Sequence, residues 1–248
     1  TFSSRGLGDV YKRQEFHDEG FSLASDDNFI YFASAIGMDT NYGTQPQHLD
    51  ASISKIDSNG NVLWSKNFGE NFKDESAYDI KISDDGYIYV TGFSGSDLNG
   101  QTNNGGSDSF LMKLDKDGNE IWTKLYGTHA NDEGAGIVLE NDGSIFLDGT
   151  TYGDLNGKLN NGDRDIFLMK LDPNGNEIWT KLIGSELFDS NYPIHLGEYI
   201  YLTGDTLGNL NGQSNNGGGD SFISKLDKNG NEICCLLYTS DAADDANC

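Results

Sequence analysis

The chain has 248 residues, 40 acidic against 16 basic, and a formal net charge of −24. That balance opposes nucleic acid, whose phosphates need basic patches, and anionic membrane surfaces; it favours solubility, a saline habitat or bound cations. No apolar run is long enough to cross a membrane, so the partners left in view are a protein or carbohydrate ligand.

Residues 1–14, "TFSSRGLGDVYKRQ", fit nothing that follows. They read as a non-native scar similar to translated sequencing-adapter read-through, and are set aside. From residue 15 the chain repeats. Trp64, Trp122 and Trp179 keep step with the turn glycines Gly60, Gly118, Gly175 and Gly230. Lys55, Lys113, Lys170 and Lys225 keep the same step, each with an aspartate five residues before and another two after. Internal periodicity of this kind decides architecture before any local propensity does. It defines four copies, 15–70, 71–128, 129–185 and 186–233.

The first copy opens on a weak apolar run near "GFSLAS". The second shows the unit most clearly: "AYDIKIS" closed by "DDG", then "YIYVTGFS", a polar loop "GSDLNGQTNNGGSD", "SFLMKLD" closed by "KDGN", and "EIWTKLYG". Four strand-length runs separated by Gly, Asn and Asp predict an antiparallel meander. "DDG" and "DGN" supply residues that tolerate positive φ in tight hairpins. The third copy repeats the pattern. The fourth holds register to Ile233, where Cys234 stands in the place of a tryptophan. Residues 234–248, "CCLLYTSDAADDANC", read as a second non-native scar. The last copy is therefore expected to lack its fourth strand, and the chain to be a fragment of a larger propeller. All three cysteines fall in that tail, so no thiol chemistry is expected of the repeats.

A four-stranded meander recurring about every 57 residues is the blade of a β-propeller. Runs such as "YIYV" and "SFLM" are apolar on both faces, as a sheet covered by neighbours on both sides permits. The fold expected is all-β, a propeller of four-stranded antiparallel blades, and a closed propeller would be a monomer.

The segments "DEGAGIVLENDGSIFLDGTTYGDLNG" and "DSFLMKLDKDGNEIWTKLYG" resemble the bacterial SBBP repeat family, over roughly residues 15–233. The resemblance implies a β-propeller that is mostly secreted or surface-attached, with no common catalytic activity. An extracytoplasmic location is expected on that ground.

Alternate links of a meander emerge on opposite edges, so the two long loops of each copy share one edge, the natural place for binding residues. The within-blade loop carries Asp97, Asn99 and Asp108, then Asp154, Asn156 and Asp165, then Asn209, Asn211 and Asp220, with a degenerate first copy at Asp39, Asn41 and Asp50. Oxygen donors at positions 1, 3 and 12 make these residues calcium candidates, although the glycine expected at position 6 is missing. The competing reading is that Asp, Asn and Gly shape a turn. Asp115, Asp117 and Asn119 read as a type I turn with a glycine bulge. The inter-blade acids Asp74, Glu75, Asp132 and Glu133, with Asp18, Glu19 and Asp189 less well aligned, read as a solvated rim that could hold a cation. Each tryptophan reads as an anchor between blades. His17, His48, His129 and His195 occupy unrelated repeat positions and form no metal or triad pattern.

These readings predict a non-catalytic extracytoplasmic scaffold for binding or adhesion, with the long acidic loops as its ligand surface. The alternatives are a propeller enzyme, quinone-dependent or hydrolytic, with its site in further blades, or a repeat stabilised by calcium.

Overall fold

The computed structural model describes residues 18–38, 48–69 and 73–238. Asp39, Asn41, His17 and both outer segments, 1–14 and 239–248, lie outside them. The described chain is all β: sixteen strands in four four-stranded sheets, each antiparallel and paired in chain order. The first sheet holds β1 (Glu19–Ser25), β2 (Phe29–Met38), β3 (His48–Asp57) and β4 (Val62–Phe68). The second holds β5 (Glu75–Ile82), β6 (Ile88–Ser94), β7 (Asp108–Leu114) and β8 (Glu120–Tyr126). The third holds β9 (Asp132–Leu139), β10 (Ile145–Thr151), β11 (Asp165–Leu171) and β12 (Glu177–Ile183). The fourth holds β13 (Asp189–Leu196), β14 (Ile200–Thr206), β15 (Asp220–Leu226) and β16 (Glu232–Tyr238). These meanders are the blades of a β-propeller.

The last strand corrects one expectation. β16 pairs with β15 from Glu232 through Tyr238, so the fourth blade is not cut at Ile233. Cys234 lies opposite Lys225, as Trp179 lies opposite Lys170 and Trp64 opposite Lys55. A ladder is built from backbone groups, and "CCLLY" is apolar enough to lie on a half-covered sheet; Leu237 is buried there. Losing the tryptophan therefore does not end the strand.

The chain divides into two compact units, Thr1–Asn103 with Ser107–Leu125, and Asn104–Gly106 with Tyr126–Cys248. In the first unit, Ala77 and Ile80 of β5 share one core with Tyr31, Ala33 and Ile53 of the preceding blade and Phe110 and Met112 of their own. In the second, Ile194 of β13 does the same between Phe146, Ile166 and Leu168 on one side and Leu202 and Phe222 on the other. Within each unit, the opening strand of the later blade is thus the layer that joins it to the earlier one. The middle strands of the second and third blades are almost wholly buried: every residue of β10, and all of β7 and β11 except one lysine each. Each fully buried large side chain contributes about 1.5–3 kcal/mol, which explains why these strands read as unbroken apolar runs.

All four tight links between third and fourth strands show the same turn in full. At Asp115 one carboxylate oxygen accepts from the N–H of Asp117 (2.9 Å) and of Asn119 (2.8 Å), and the other from Asn119 Nδ2 (2.9 Å). Asp57 and Asp227 repeat this with Asn61 and Asn231. These bonds hold the Asp57, Asp115 and Asp227 carboxyls below the usual carboxylate range. Asp172 makes the same contacts with Asn174 and Asn176. The recurrent "D-x-x-G-N" is a hairpin device.

Candidate functional site

Both long loops of a blade leave the same edge and are tied together there. The Gly95 N–H, after β6, donates to the Asp74 carbonyl, before β5 (2.9 Å). The Tyr152 N–H donates to Asn131 O (3.0 Å) and the Leu207 N–H to Phe188 O (3.0 Å) in the next two blades.

Within that edge, the nine calcium candidates separate into two groups. Asn99, Asn156 and Asn211 have φ near +50°, and each is followed by a glycine at positive φ. Two left-handed residues in succession make a type I′ turn. Leu98 and Gln101 exchange both backbone hydrogen bonds around it, as do Leu155 and Lys158, and Leu210 and Gln213. The Asn99 amide donates to Thr123 Oγ1 (3.0 Å), Asn156 to Thr180 Oγ1 (2.9 Å) and Asn211 to Glu232 Oε2 (2.7 Å). Asp97, Asp154 and Asn209 each accept the N–H of the residue six further on: Asn103 (2.8 Å), Asn160 (2.9 Å) and Asn215 (2.9 Å). Asp97, Asp154 and Asn209 are exposed, and their oxygens serve the loop's own backbone.

Asp108, Asp165 and Asp220 are buried instead, each as the first residue of its blade's third strand. Asp165 Oδ2 accepts the Asn161 N–H (2.7 Å) and Asp220 Oδ2 the Asn216 N–H (3.2 Å). The inter-blade acids are buried too: Glu75, Asp132 and Asp189 are each 0% exposed. Asp132 Oδ2 accepts from Thr128 N–H (2.7 Å) and Oγ1 (2.9 Å), and Asp189 Oδ2 from Ser185 N–H (2.7 Å) and Oγ (3.0 Å). Asp132 and Asp189 close the turn entering their strands, and Glu75 accepts from Ser94 at the end of β6 and Ser96 just after it, in place of the solvated rim expected at these three positions; Asp74 remains exposed. No cluster of three or more His, Cys, Asp or Glu side chains with metal-binding geometry occurs among the described residues.

A cavity of about 440 Å³ opens at the long-loop edge of the fourth blade, lined by Phe188, Ser190, Asp205, Thr206, Leu207 and Gly219. β13 supplies Ser190, β14 supplies Asp205 and Thr206, and the tied loops supply Phe188 and Leu207. Tyr192 Oη donates to Asp205 Oδ2 (3.0 Å) and Ser221 Oγ to Asp205 Oδ1 (2.7 Å), which fixes the carboxylate in the wall. Ionised Asp205 in turn raises the Tyr192 hydroxyl above its ordinary value. The Arg164 guanidinium packs over the Phe188 ring, 4.7 Å from its centroid, and near Tyr152 at 5.8 Å. Sequence reasoning missed this site, because Phe188 and Asp205 stand at positions where the repeat is irregular.

A second cavity, about 450 Å³, lies at the opposite edge around Leu139, Glu140, Asp142, Leu196 and Lys228. There Glu140 is bonded to both Lys170 (3.3 Å) and Lys228 (2.5 Å), so its charge is already met.

No family model matches the chain. Over 174 residues it is 30% identical to the Regulatory protein FlaEY of Caulobacter vibrioides, covering 62% of this chain and 18% of that protein. The chain therefore spans less than a fifth of that relative's length. Among solved structures it is similar to an α-L-arabinanase of Cellvibrio cellulosa (12% identity, 88% of this chain and 76% of that one, TM-score 0.42). It is also similar to an exo-1,5-α-L-arabinanase from a bovine ruminal metagenomic library (12%, 88% and 76%, TM-score 0.42). A third is the apocarotenoid oxygenase of Synechocystis (16%, 90% and 49%, TM-score 0.44). These are enzymes by name, and the expectation of a non-catalytic scaffold for binding or adhesion is corrected on that finding. Similarity at this level transfers neither substrate nor mechanism.

Proposed function

We propose that this chain forms part of a propeller hydrolase and contributes a saccharide subsite to it, at the long-loop edge of the fourth blade. The observation that carries the reading is the cavity in which Asp205, the hydroxyl-bearing Ser190 and Thr206, and the apolar Phe188 and Leu207 meet. A sugar presents hydroxyls at its edge and C–H groups on its faces. A fixed carboxylate and hydroxyls answer the first, and an aromatic wall answers the second. Glycosidic hydrolysis uses two carboxyl groups roughly 5–9.5 Å apart. Among the described residues lining the cavity Asp205 is the one carboxylate, so its assigned role is to bind and orient, not to transfer the proton. The extracytoplasmic location implied by the repeat resemblance belongs to the same proposal, since polymeric saccharide is met there.

The test is a panel of polysaccharides and aryl glycosides, scored for sugar release and for binding by titration. Binding that weakens about tenfold in Asp205→Asn, the loss of roughly one charge-assisted hydrogen bond, supports the reading. A chain that binds no saccharide, or a variant that binds as well as the parent, removes it.

A further inference from the structure

The start of β11 and the start of β13 run side by side across the junction of the third and fourth blades. Arg164 and Phe188 form a parallel bridge, with the Asp189 N–H donating to Arg164 O (2.8 Å). In parallel register the residues that follow the bridged pair, Asp165 and Asp189, stand on neighbouring strands about 5 Å apart. Asp165 is 1% exposed and Asp189 0%. Each has one oxygen capped: Asp165 Oδ2 by the Asn161 N–H, and Asp189 Oδ2 by the Ser185 N–H and hydroxyl. Each has its other oxygen, Oδ1, buried with no hydrogen-bond partner. Gly184 lies against Asp165: a Cβ on it would lie 2.2 Å from Asp165 Oδ1.

Two adjacent buried carboxylates cannot both remain ionised without compensation. The cations of the junction do not supply it. The Arg164 guanidinium is turned onto the Phe188 and Tyr152 rings, and Lys158 is exposed. The other acids of the neighbouring segments, Asp154, Asp163 and Glu186, are exposed, and Asp205 is engaged by Tyr192 and Ser221. One proton placed between the two Oδ1 atoms gives an O–H···O⁻ bond and satisfies both oxygens at once.

We propose that Asp165 and Asp189 share one proton, closing the junction between the third and fourth blades as an acid–carboxylate pair that loosens when the proton is lost. Burial, with Asp189 adding to it, raises Asp165 above the ordinary carboxylate value. The first unit repeats the arrangement. Glu75 Oε1 accepts from Ser94 Oγ (3.0 Å) and Ser96 Oγ (2.6 Å). A Cβ on Gly69 would meet both Glu75 Oε2 (2.5 Å) and Asp50 Oδ1 (2.8 Å), so these oxygens converge on one point. Asp50 is raised by burial as Asp165 is. A carboxyl raised on folding binds more protons folded than unfolded. Its contribution is therefore complete below the unfolded value near 3.8 and is lost as pH rises through the folded value.

The experiment compares thermal unfolding of the whole chain with Asp165→Asn and Asp189→Asn across about pH 5 to pH 8, beside amide hydrogen exchange of the parent. Asn supplies the donor that the proton would otherwise provide. The parent is expected to lose stability relative to Asp165→Asn as pH rises. Protection of the Asn161 and Ser185 amides, which cap the pair, should fall by up to about tenfold per pH unit as pH rises from the unfolded value toward the folded one, and level off above it. A parent-to-variant difference that does not change with pH, or that changes in the opposite sense, overturns the proposal. So does stabilisation by added calcium that abolishes the difference, which would mean a cation sits there instead. If neither variant folds, the exchange of the parent decides: pH-independent protection at both amides overturns the shared proton.

Discussion

The ring of Trp64, in the fourth strand of the first blade, lies against Gly118, the turn glycine of the second. A Cβ on Gly118 would be 3.0 Å from the ring. Trp179 stands to Gly230 in the same way, and Lys55 Nζ reaches the Lys116 carbonyl of the same turn (3.0 Å). The tryptophan and turn glycine that mark the repeat thus meet in one contact between the first and second blades, where the lysine joins them, and again between the third and fourth.

That contact sets a first prediction. Gly118 has φ +74° beneath the Trp64 ring, whereas Gly86 has φ +85° with nothing within 4 Å of a Cβ. Gly86→Ala is expected to cost about 1 kcal/mol, the backbone term alone. Gly118→Ala should cost about 1–3 kcal/mol more, from the forced displacement of the ring. Denaturant melts of both variants give the difference, and equal losses would remove the ring from the account.

The type I′ turns give a second. Asn156→Gly keeps the left-handed backbone and loses only the Thr180 bond, a cost of about 1 kcal/mol. Asn156→Ala loses the bond and places an alanine at φ +50°, adding about 1 kcal/mol more. The same loops close on their own hydrogen bonds, so chelator and calcium should leave the melting temperature unchanged. A calcium-dependent rise would restore Asp97, Asn99 and Asp108, with their counterparts, as ligands.

A third concerns acid. Bonds from Asn61, Asn119 and Asn231 hold Asp57, Asp115 and Asp227 below the ordinary carboxylate value. A carboxyl lowered on folding contributes above its unfolded value, and that contribution is lost as pH falls through the folded one. Asp115→Asn should therefore reduce stability at neutral pH and flatten the acid limb below about pH 4. A parallel shift of the whole curve would contradict this.

The saccharide subsite gives a fourth. Phe188→Ala removes the cavity's aromatic wall and the surface on which Arg164 packs, and is expected to weaken saccharide binding about fivefold to tenfold, the worth of about 1–1.5 kcal/mol of stacking. Tyr192→Phe frees one oxygen of Asp205 and should weaken it less. A titration in which Tyr192→Phe is the more damaging would reverse the assigned roles.

Fold was legible in the sequence because its signals are local and repeat. Four strands, the "D-x-x-G-N" turn and the tryptophan position can each be read within a few residues. The candidate site was not, for two physical reasons. Turns and calcium loops use the same oxygen donors, so Asp97 and Asn99 could serve either until their partners were seen. The partner of Asp165 is 24 positions on, in the next blade, and the glycine that leaves it room, Gly184, precedes that blade. The junction acids read as a rim because an isolated "DE" before a strand gives no sign of which carboxylate turns inward. The fourth strand of the last blade was hidden because register was followed on Trp, which the backbone pairing of β16 does not need.

The shared proton is the claim on which the most structure depends. It is tested most directly by the carboxyl carbon shifts of Asp165 and Asp189, followed by NMR from about pH 4 to about pH 8. The account predicts two coupled steps, with one proton still on the pair well above the ordinary carboxylate value of about 3.9. Two carboxyls that both ionise in the ordinary range would contradict it.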